Sequence, residues 1–318
     1  MRKASVRTKS PINRFHPSNL QEHSSACKNT FHIILACRDT TKGQAAIEVI
    51  HHDTNCKDRT TISVWPLDLA SYQSVLSFAE RVRTELPRLD AFIANAGMEL
   101  QELRTAEDLE MHLTVNVVST FLCAIAILPK LRETAKARGV ETTLTFCGSM
   151  YHIFGPDNEF DAGVPDDVDM FDALSTSDPK KTDIIWRYAL SKLMVHQCFH
   201  ELIVTLSNDK SHDWSSVAVN LINPGWCGTD LSRAKPHPLG ERIAFATMGW
   251  TAEKGSRMYL YALAPGKESH GKYLSECQVK TESQYMRSER GRKIQRKMWK
   301  DLMKRIEGVS PDVVGFIH

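Results

Sequence analysis

A tyrosine and a lysine four positions apart, Tyr188 and Lys192, are the residues of this chain best suited to chemistry. On a helix this spacing places both side chains on one face, where they can reach the same substrate oxygen. An ammonium favours the phenolate, so we expect Lys192 to lower the pKa of Tyr188 from about 10 toward neutral pH, where a general acid/base works best. Chance can also supply such a pair, and the alternative is a helix face with an aromatic ring and a solvated charge.

Composition points to a globular protein that binds a small molecule. The chain has 318 residues, 42% hydrophobic and 25% charged, with a net charge of +2. That charge gives no reason to expect nucleic acid as a partner. Eight cysteines without Cys-x-x-Cys spacing disfavour zinc and disulfides and favour a reducing compartment. Since no apolar run approaches the ~20 residues of a membrane span, we predict a cytoplasmic protein without membrane contact.

Residues 1–30 are predicted to be a basic, disordered extension, since no acidic residue precedes Glu22. The composition is similar to that of a mitochondrial transit peptide, but Pro11 and Pro17 would interrupt an amphipathic helix. A disordered extension or a mis-assigned gene start is therefore the favoured interpretation.

From Phe31 onward, strand-like runs alternate with helical patterns, which predicts βαβ units and a parallel sheet in a single domain spanning 31–318. Strands are predicted at 31–37, 61–67, 90–94, 143–147 and 217–222. Helices are predicted at 41–51, 71–86, 107–137 with a possible break at Pro129, a segment carrying Tyr188 that ends near 206, and a basic amphipathic helix at 287–305 packed on the sheet. Residues 156–183 are predicted to be an insertion loop and 231–250 a lid over the substrate.

Polar and glycine-containing motifs follow the predicted strands, at the edge where open α/β sheets bind ligands. They are Asp68-Leu69, Asn95-Ala96-Gly97, Ser149 and Pro224-Gly225, with Asn116, Tyr188 and Lys192 on the helices between them. In order and spacing the set resembles the short-chain dehydrogenase/reductase family, over about Phe31 to Trp299. The segments 113–121, 187–193 and 271–275 resemble the fungal branch that tailors polyketides and terpenoids.

The resemblance implies an NAD(P)-dependent oxidoreductase that interconverts a carbonyl and an alcohol on an apolar small molecule, and it is compatible with a homo-oligomer. Tyr188 would exchange a proton with the substrate oxygen, and Lys192 would lower its pKa and bind the nicotinamide ribose. Ser149 would hold the carbonyl or hydroxyl, and Asn116 would hold a water that links Lys192 to solvent. Taken alone, Ser149 could be a turn residue and Asn116 a buried amide that binds backbone in its own helix.

For the cofactor, the resemblance implies that Asp68 and the Leu69 amide bind the adenine and that Asn95, Ala96 and Gly97 pass the adenosine ribose. Pro224, Gly225 and Thr229 would orient the nicotinamide amide and a phosphate. Arg38 follows the first predicted strand, where a cation suits the 2′-phosphate of NADP and an acid suits NAD. NADP is therefore the predicted cofactor, with NAD the less favoured choice; alternatively, Arg38 is a solvated residue beside Asp39.

The resemblance breaks down at the start of the chain. The family opens with a strand, a glycine-rich turn and a helix that cradle the pyrophosphate, whereas the first glycine here is Gly43. We therefore expect a Rossmann-like, doubly wound α/β fold that lacks the first strand and the turn, which leaves two strand edges unpaired. Three interpretations follow: an NADP-dependent enzyme with a truncated or mis-spliced gene model, a scaffold, isomerase or cyclase that binds no dinucleotide, or an inactive fragment.

Overall fold

The computed structural model describes residues 31–54, 60–163, 165–175, 184–227 and 249–317. The predicted extension 1–30 and the predicted lid up to residue 248 lie outside the described residues. The chain divides into two compact units, with the boundary between Pro66 and Leu67.

The first unit is a strand, a helix and a strand: β1 (Phe31–Cys37), α1 (Thr40–Thr54) and β2 (Thr60–Pro66). The two strands pair in parallel, with Phe31 opposite Thr60 and Cys37 opposite Pro66. Gly43 is buried on α1, and a Cβ there would come within 2.8 Å of both the Cys37 Sγ and a Val64 methyl. Gly43 therefore lets the helix pack closely on its two strands, and it is not part of a phosphate-binding turn.

The second unit contains a five-stranded sheet in the order β3-β6-β7-β8-β9, parallel except for the last pair. Its strands are β3 (Ala91–Ala94), β6 (Thr142–Cys147), β7 (Val217–Asn223), β8 (Tyr273–Ser275) and β9 (Gln278–Val279). Among the described residues, the strands of the two units thus form two sheets. In the described parts of the chain, β1 pairs with β2 alone and β3 pairs with β6 alone.

Eight α-helices lie in the described residues of the second unit. They are α2 (Tyr72–Glu85), α3 (Ser119–Arg138), α4 (Met170–Ser175), α5 (Ile184–Asn208), α6 (Ala252–Leu263), α7 (Gln284–Arg287), α8 (Glu289–Val309) and α9 (Pro311–Val314). The predicted insertion loop contains α4 and a 3₁₀-helix, Asp157–Gly163.

The helix predicted over 107–137 begins later than expected. Glu107 and Asp108 have φ angles of 53° and 62°, and they form the two-residue turn between β4 (Thr105–Ala106) and β5 (Leu109–Glu110). Positive φ at both positions is typical of a tight hairpin turn and is incompatible with an α-helix. A π-helical turn, Leu113–Val118, follows and leads into α3.

Helix α3 is the core of the second unit, and Pro129 does not break it. The helical stretch Leu113–Arg138 is long and apolar enough to span a membrane, since an 18-residue window within it has a mean hydropathy of 1.7. However, 94% of this window is buried inside the protein. Phe121 stacks on Phe146 of β6 at 4.8 Å between ring centroids. Burial of this face offsets the roughly 3 kcal/mol that an internal proline costs a helix.

The C-terminal basic helix is amphipathic as predicted, but it packs against other helices and not on the sheet. In α8 the apolar side chains at helical spacing are buried, while the intervening cations are mostly exposed. Trp299 contacts the edge of Phe121, at 6.2 Å between ring centroids, and so joins α8 to the core around α3.

Candidate active site

Tyr188 lies on α5 with its ring 9% exposed. Burial raises the pKa of Tyr188 well above its ordinary value, and the neighbouring Ser149 side chain opposes that rise only in part. A buried phenol with a raised pKa is protonated at neutral pH, and it can therefore donate its proton to an oxygen placed beside it.

Lys192 lies one helical turn after Tyr188 and is also buried. Its Nζ donates to the carbonyl of Cys147, the last residue of β6, at 2.8 Å, and lies 5.7 Å from the centroid of the Tyr188 ring. The expected lowering of the Tyr188 pKa by Lys192 is not seen in this structure. The ammonium is held at the strand end, burial lowers its own pKa, and burial of the phenol dominates the pKa of Tyr188.

Ser149 follows β6 and begins the 3₁₀-helix Met150–Phe154. Its Oγ accepts a hydrogen bond from the Tyr151 N–H at 3.1 Å, as the cap of that helix, and also meets the Tyr188 hydroxyl. The helix cap therefore holds the serine side chain in one rotamer close to Tyr188.

Asn116 lies in the π-helical turn and binds the segment that follows β3. Its Oδ1 accepts from the Met98 N–H at 2.8 Å, and its Nδ2 donates to the Met98 carbonyl at 3.0 Å and to the Ser191 Oγ at 2.9 Å. The amide thus ties the 97–98 backbone to the helix that carries Tyr188. Since π-helical turns frequently occur at functional sites, this one is a signal that the sequence alone does not show.

Gly97 allows that segment to approach the polar groups closely. A Cβ on Gly97 would lie 3.2 Å from the Asn116 Oδ1 and 3.6 Å from the Lys192 Nζ. The structure therefore brings Asn116, Lys192, Gly97 and, through the serine-tyrosine contact, Ser149 and Tyr188 to the same sheet edge.

The remaining predicted cofactor residues lie at turns after other strands. Asp68 accepts from the Ala70 N–H at 2.9 Å, which fixes the 68–69 turn before α2. Asn95 accepts a short hydrogen bond from the Tyr259 hydroxyl of α6. Ala96 precedes Gly97 in the same loop. Tyr259 was missed by sequence reasoning, because only the fold brings α6 to the end of β3.

Pro224 and Gly225 follow β7. Gly225 has a φ of 89°, and a Cβ there would come within 2.7 Å of the Trp250 ring. Both the backbone angle and the close packing require glycine at this position. The Asn223 Oδ1 accepts from the Gly225 and Met150 N–H groups at 3.2 Å, which links this loop to the one after β6. Thr229 lies outside the described residues.

Arg38 belongs to the first unit, directly after β1. It is exposed, and no ion pair to it occurs within the part of the chain that the structure describes. Its geometry leaves both predictions for Arg38, a phosphate ligand or a solvated residue, open.

The site residues fit the nicotinamide-ribose end of a dinucleotide. Lys192 is buried and uses one hydrogen-bond acceptor among the described residues, the Cys147 carbonyl, so an ammonium with three donors has capacity for ribose hydroxyls. Gly97 and Gly225 keep the loops beside it free of side chains. For the pyrophosphate, the described residues contain no glycine-rich turn ahead of a helix.

An aromatic row leads away from Tyr188 toward the surface. Tyr188, Tyr151 and Phe154 form edge-on contacts, each at 5.9 Å between centroids, and Phe154 lies 6.4 Å from Trp186. Phe154 and Trp186 are exposed, by 50% and 40%. Exposed aromatic rings next to a buried acid/base group are suited to an apolar ligand.

Comparison with known proteins agrees with this architecture. Residues 24–149 match the family model for short chain dehydrogenase. The chain is 38% identical over 286 residues to the short chain dehydrogenase/reductase dmxR8 of Cryptosporiopsis sp., covering 88% of this chain and 84% of that protein. It is 32% identical to the short chain dehydrogenase FGM9 of Gibberella zeae, covering 90% and 81%.

Among solved structures, the fold resembles that of the Pseudomonas aeruginosa RhlG/NADP active-site complex. The TM-score is 0.52 at 17% sequence identity, and the match covers 79% of this chain and 95% of that one. This supports a Rossmann-like α/β fold. The identity and coverage of the fungal relatives show that the chain belongs to the short-chain dehydrogenase/reductase family, whose members are NAD(P)-dependent oxidoreductases.

Proposed function

We propose that this protein is an NADP-dependent reductase that converts a carbonyl to an alcohol on an apolar, ring-bearing small molecule. The observation that carries the proposal is the buried Tyr188 ring, which has the Lys192 Nζ 5.7 Å from its centroid and the Ser149 side chain as a neighbour, and whose hydroxyl burial keeps protonated. A protonated phenol is the form that a carbonyl reduction needs, since it gives a proton to the oxygen that becomes the hydroxyl.

The roles of the side chains follow from their contacts. Ser149 orients the substrate oxygen through the same hydroxyl that meets Tyr188. Lys192, held on the Cys147 carbonyl, would bind the nicotinamide ribose, and Asn116 keeps the 97–98 loop against α5. When bound, NADPH supplies the hydride. Arg38, Asp68, Leu69, Asn95, Ala96, Pro224, Gly225 and Thr229 are the further residues that we propose for binding it.

The substrate class is argued from the surface beside Tyr188. Met150, Ile153, Phe154 and Trp186 are 40% to 50% exposed, and Tyr151 connects them to the phenol. Exposed apolar side chains in one place mark a binding surface for an apolar ligand. Because the matched relatives are fungal, we propose a secondary metabolite of the polyketide or terpenoid type. We place the enzyme in the cytoplasm.

A second candidate is an isomerase, cyclase or scaffold that uses the same pocket without a dinucleotide. It is favoured by one observation: the described residues lack the glycine-rich turn that binds pyrophosphate in this family. Tyr188 and Ser149 could move protons on a substrate without any hydride transfer.

The decisive experiment is NADPH oxidation by the purified full chain with a panel of polycyclic aromatic and aliphatic ketones. We expect turnover with the wild type and at least a roughly hundred-fold lower kcat in Tyr188→Phe, because the ring remains and only the proton donor is lost. Tyr261→Phe removes a hydroxyl from a partly buried tyrosine of α6 and should retain wild-type activity. Wild-type turnover in Tyr188→Phe would contradict the proposal, whereas NADPH-independent conversion of a substrate would favour the isomerase or cyclase.

A further inference from the structure

Two histidines bind the backbone of Ser149 from one side. The Nδ1 of His152 donates to the Ser149 carbonyl at 2.7 Å, and the Nε2 of His196 lies 3.5 Å from the Ser149 nitrogen and accepts its N–H. The two imidazoles stack, with centroids 4.0 Å apart and an interplanar angle of 17°. Both peptide groups that set the direction of the serine side chain are therefore held by the same ring pair.

The partners of the other ring nitrogens determine the tautomers. The Nδ1 of His196 lies 2.8 Å from the carboxylate of Glu282, which can only accept, so this nitrogen carries the proton. The Nε2 of His152 accepts from the Ser283 N–H at 3.3 Å. Both rings are thus neutral with the proton on Nδ1, and both are anchored by the adjacent residues Glu282 and Ser283.

The surroundings oppose protonation of either ring. His196 is 0% exposed and His152 is 3% exposed. Burial lowers the pKa of both, and because the rings stack, a charge on one would repel a charge on the other. Tyr273 of β8 packs against both rings, at 5.5 Å and 4.9 Å between centroids. The charged group that faces the pair is Glu282, which is shared with the half-buried His200 of α5.

Gly148 allows the His196 ring to pack closely against the backbone beside Ser149. A Cβ on Gly148 would lie 2.6 Å from the His196 Nε2 and 3.0 Å from a Leu221 methyl. No side chain fits there, so the glycine before Ser149 is required for the contact between imidazole and serine N–H.

We propose that His152 and His196 are positioning residues, which hold Ser149 in the orientation that meets Tyr188 only while both imidazoles are neutral. Protonation of the His196 Nε2 turns its acceptor into a donor that faces the Ser149 N–H, so the contact is lost. The hydrogen bonds of the two histidines to Ser149, Glu282 and Ser283 form without a bound cofactor. They can therefore be tested independently of the proposed reaction.

The first test does not depend on activity. In isotope-labelled protein, the ring nitrogen resonances of His152 and His196, assigned with His→Gln variants, should show neutral imidazoles protonated on Nδ1 at neutral pH. A charged ring, or the opposite tautomer in either residue, would overturn the proposal. If these tautomers are found in a protein that does not turn over any carbonyl, the proposed function fails and the histidine network remains.

The second test separates positioning from structural support. We expect His196→Leu to lower kcat roughly ten- to hundred-fold, because misplacing a catalytic group by about 1 Å has effects of that size, with the Kd for NADPH unchanged. His196→Gln keeps an acceptor near the Nε2 position and should recover much of the kcat. His200→Leu is the matched control, since it also loses a bond to Glu282 but does not touch Ser149. An equal loss of kcat in His200→Leu would contradict the proposal.

A double-mutant cycle covers the case in which His196→Leu is unstable. If His196 acts through Ser149, His196→Phe, which keeps an aromatic ring but has no acceptor, should cost no further kcat in a Ser149→Ala background. Additive losses of kcat in the cycle would show that His196 acts by another route and would overturn the proposal.

Discussion

At the scale of single residues, burial decides the protonation state of the site. The phenol of Tyr188 and the ammonium of Lys192 are both nearly inaccessible, and desolvation acts against the charged form of each, which raises the first pKa and lowers the second. Because its pKa is raised, the Tyr188 hydroxyl keeps its proton at neutral pH and can donate it. The same cause keeps His196 neutral beside an ionised Glu282, whose pKa is lowered by its two histidine partners.

His196 should make the stability of the protein depend on pH. Its pKa falls from an ordinary value of 6.5 to about 4 in the folded state. The unfolded state therefore binds the proton first, so stability is full above about pH 6.5 and falls by up to roughly 3 kcal/mol as the pH drops toward 4. The free energy of unfolding in urea, measured across this range, should vary less with pH in His196→Gln. His52→Gln, at an exposed site on α1, serves as the control and should follow the wild type; identical slopes in all three proteins would contradict the assignment.

At the scale of elements, α5 and the loops around it assemble the site. The helix carries Tyr188, Ser191, Lys192 and His196, which contact the loop after β3, the end of β6 and the 3₁₀-helix that follows it. The π-helical turn before α3 supplies Asn116. Helix α3 ends at Arg138, shortly before β6 begins at Thr142.

A pair of glycines tests the ends of these helices. Gly139 terminates α3 with a φ of 63°, and a Cβ there would meet nothing within 4 Å. Gly139→Ala should therefore lower the free energy of unfolding by about 1 kcal/mol through backbone strain alone. Gly308 lies in α8, also with open space around it, so Gly308→Ala should raise the free energy by up to about 1 kcal/mol. Urea unfolding gives the free energy of unfolding of both variants. A lower free energy of unfolding in Gly308→Ala would contradict the prediction, because it would show that alanine is unfavourable even where the backbone is helical.

At the scale of the whole molecule, the described residues account for one end of a dinucleotide site. The candidate residues are distributed over both units, with Arg38 after β1 and the others in the second unit. Lys192 and the loops at Gly97 and Gly225 fit one end of NADP, and the described residues show no glycine-rich turn for the other. Cofactor binding is therefore a property of the full chain and must be measured on it.

NADPH should stabilise the full chain, by about 2.7 kcal/mol at a free concentration one hundred times the Kd, with a corresponding rise in Tm. We expect a smaller rise with NADH. Arg38→Ala should weaken NADPH binding roughly ten-fold and leave NADH binding unchanged, because only NADPH carries the 2′-phosphate. Arg296→Ala, at an exposed arginine of α8, is the control. If NADPH does not change the Tm, the isomerase, cyclase or scaffold without a dinucleotide is favoured. If Arg38→Ala weakens NADPH and NADH binding equally, Arg38 does not bind the 2′-phosphate.

The sequence alone predicted most of the elements. Alternating apolar runs correctly placed β1, β2, β3, β6 and β7 to within one or two residues, and Ser71 caps α2 as expected. The helix start predicted at 107 was wrong. Glu107 and Asp108 have positive φ and form a turn, and neither is a glycine that would have indicated such a turn in the sequence. Which strands pair depends on partners distant in sequence, and in the described residues they form two sheets whose edges at β1 and β3 pair with no other described strand.

For the site, the amino-acid sequence determined which chemical groups are available: a Tyr and a Lys on one helical face, and a serine, an asparagine and glycines after successive strands. Spacing suffices for this, because helix and strand periods are local properties of the chain. Only the tertiary structure decided the charge state of those groups and their supports. The raised pKa of Tyr188, the bond of Lys192 to Cys147 and the two histidines behind Ser149 all arise from burial and from contacts between residues distant in sequence, which local patterns do not encode.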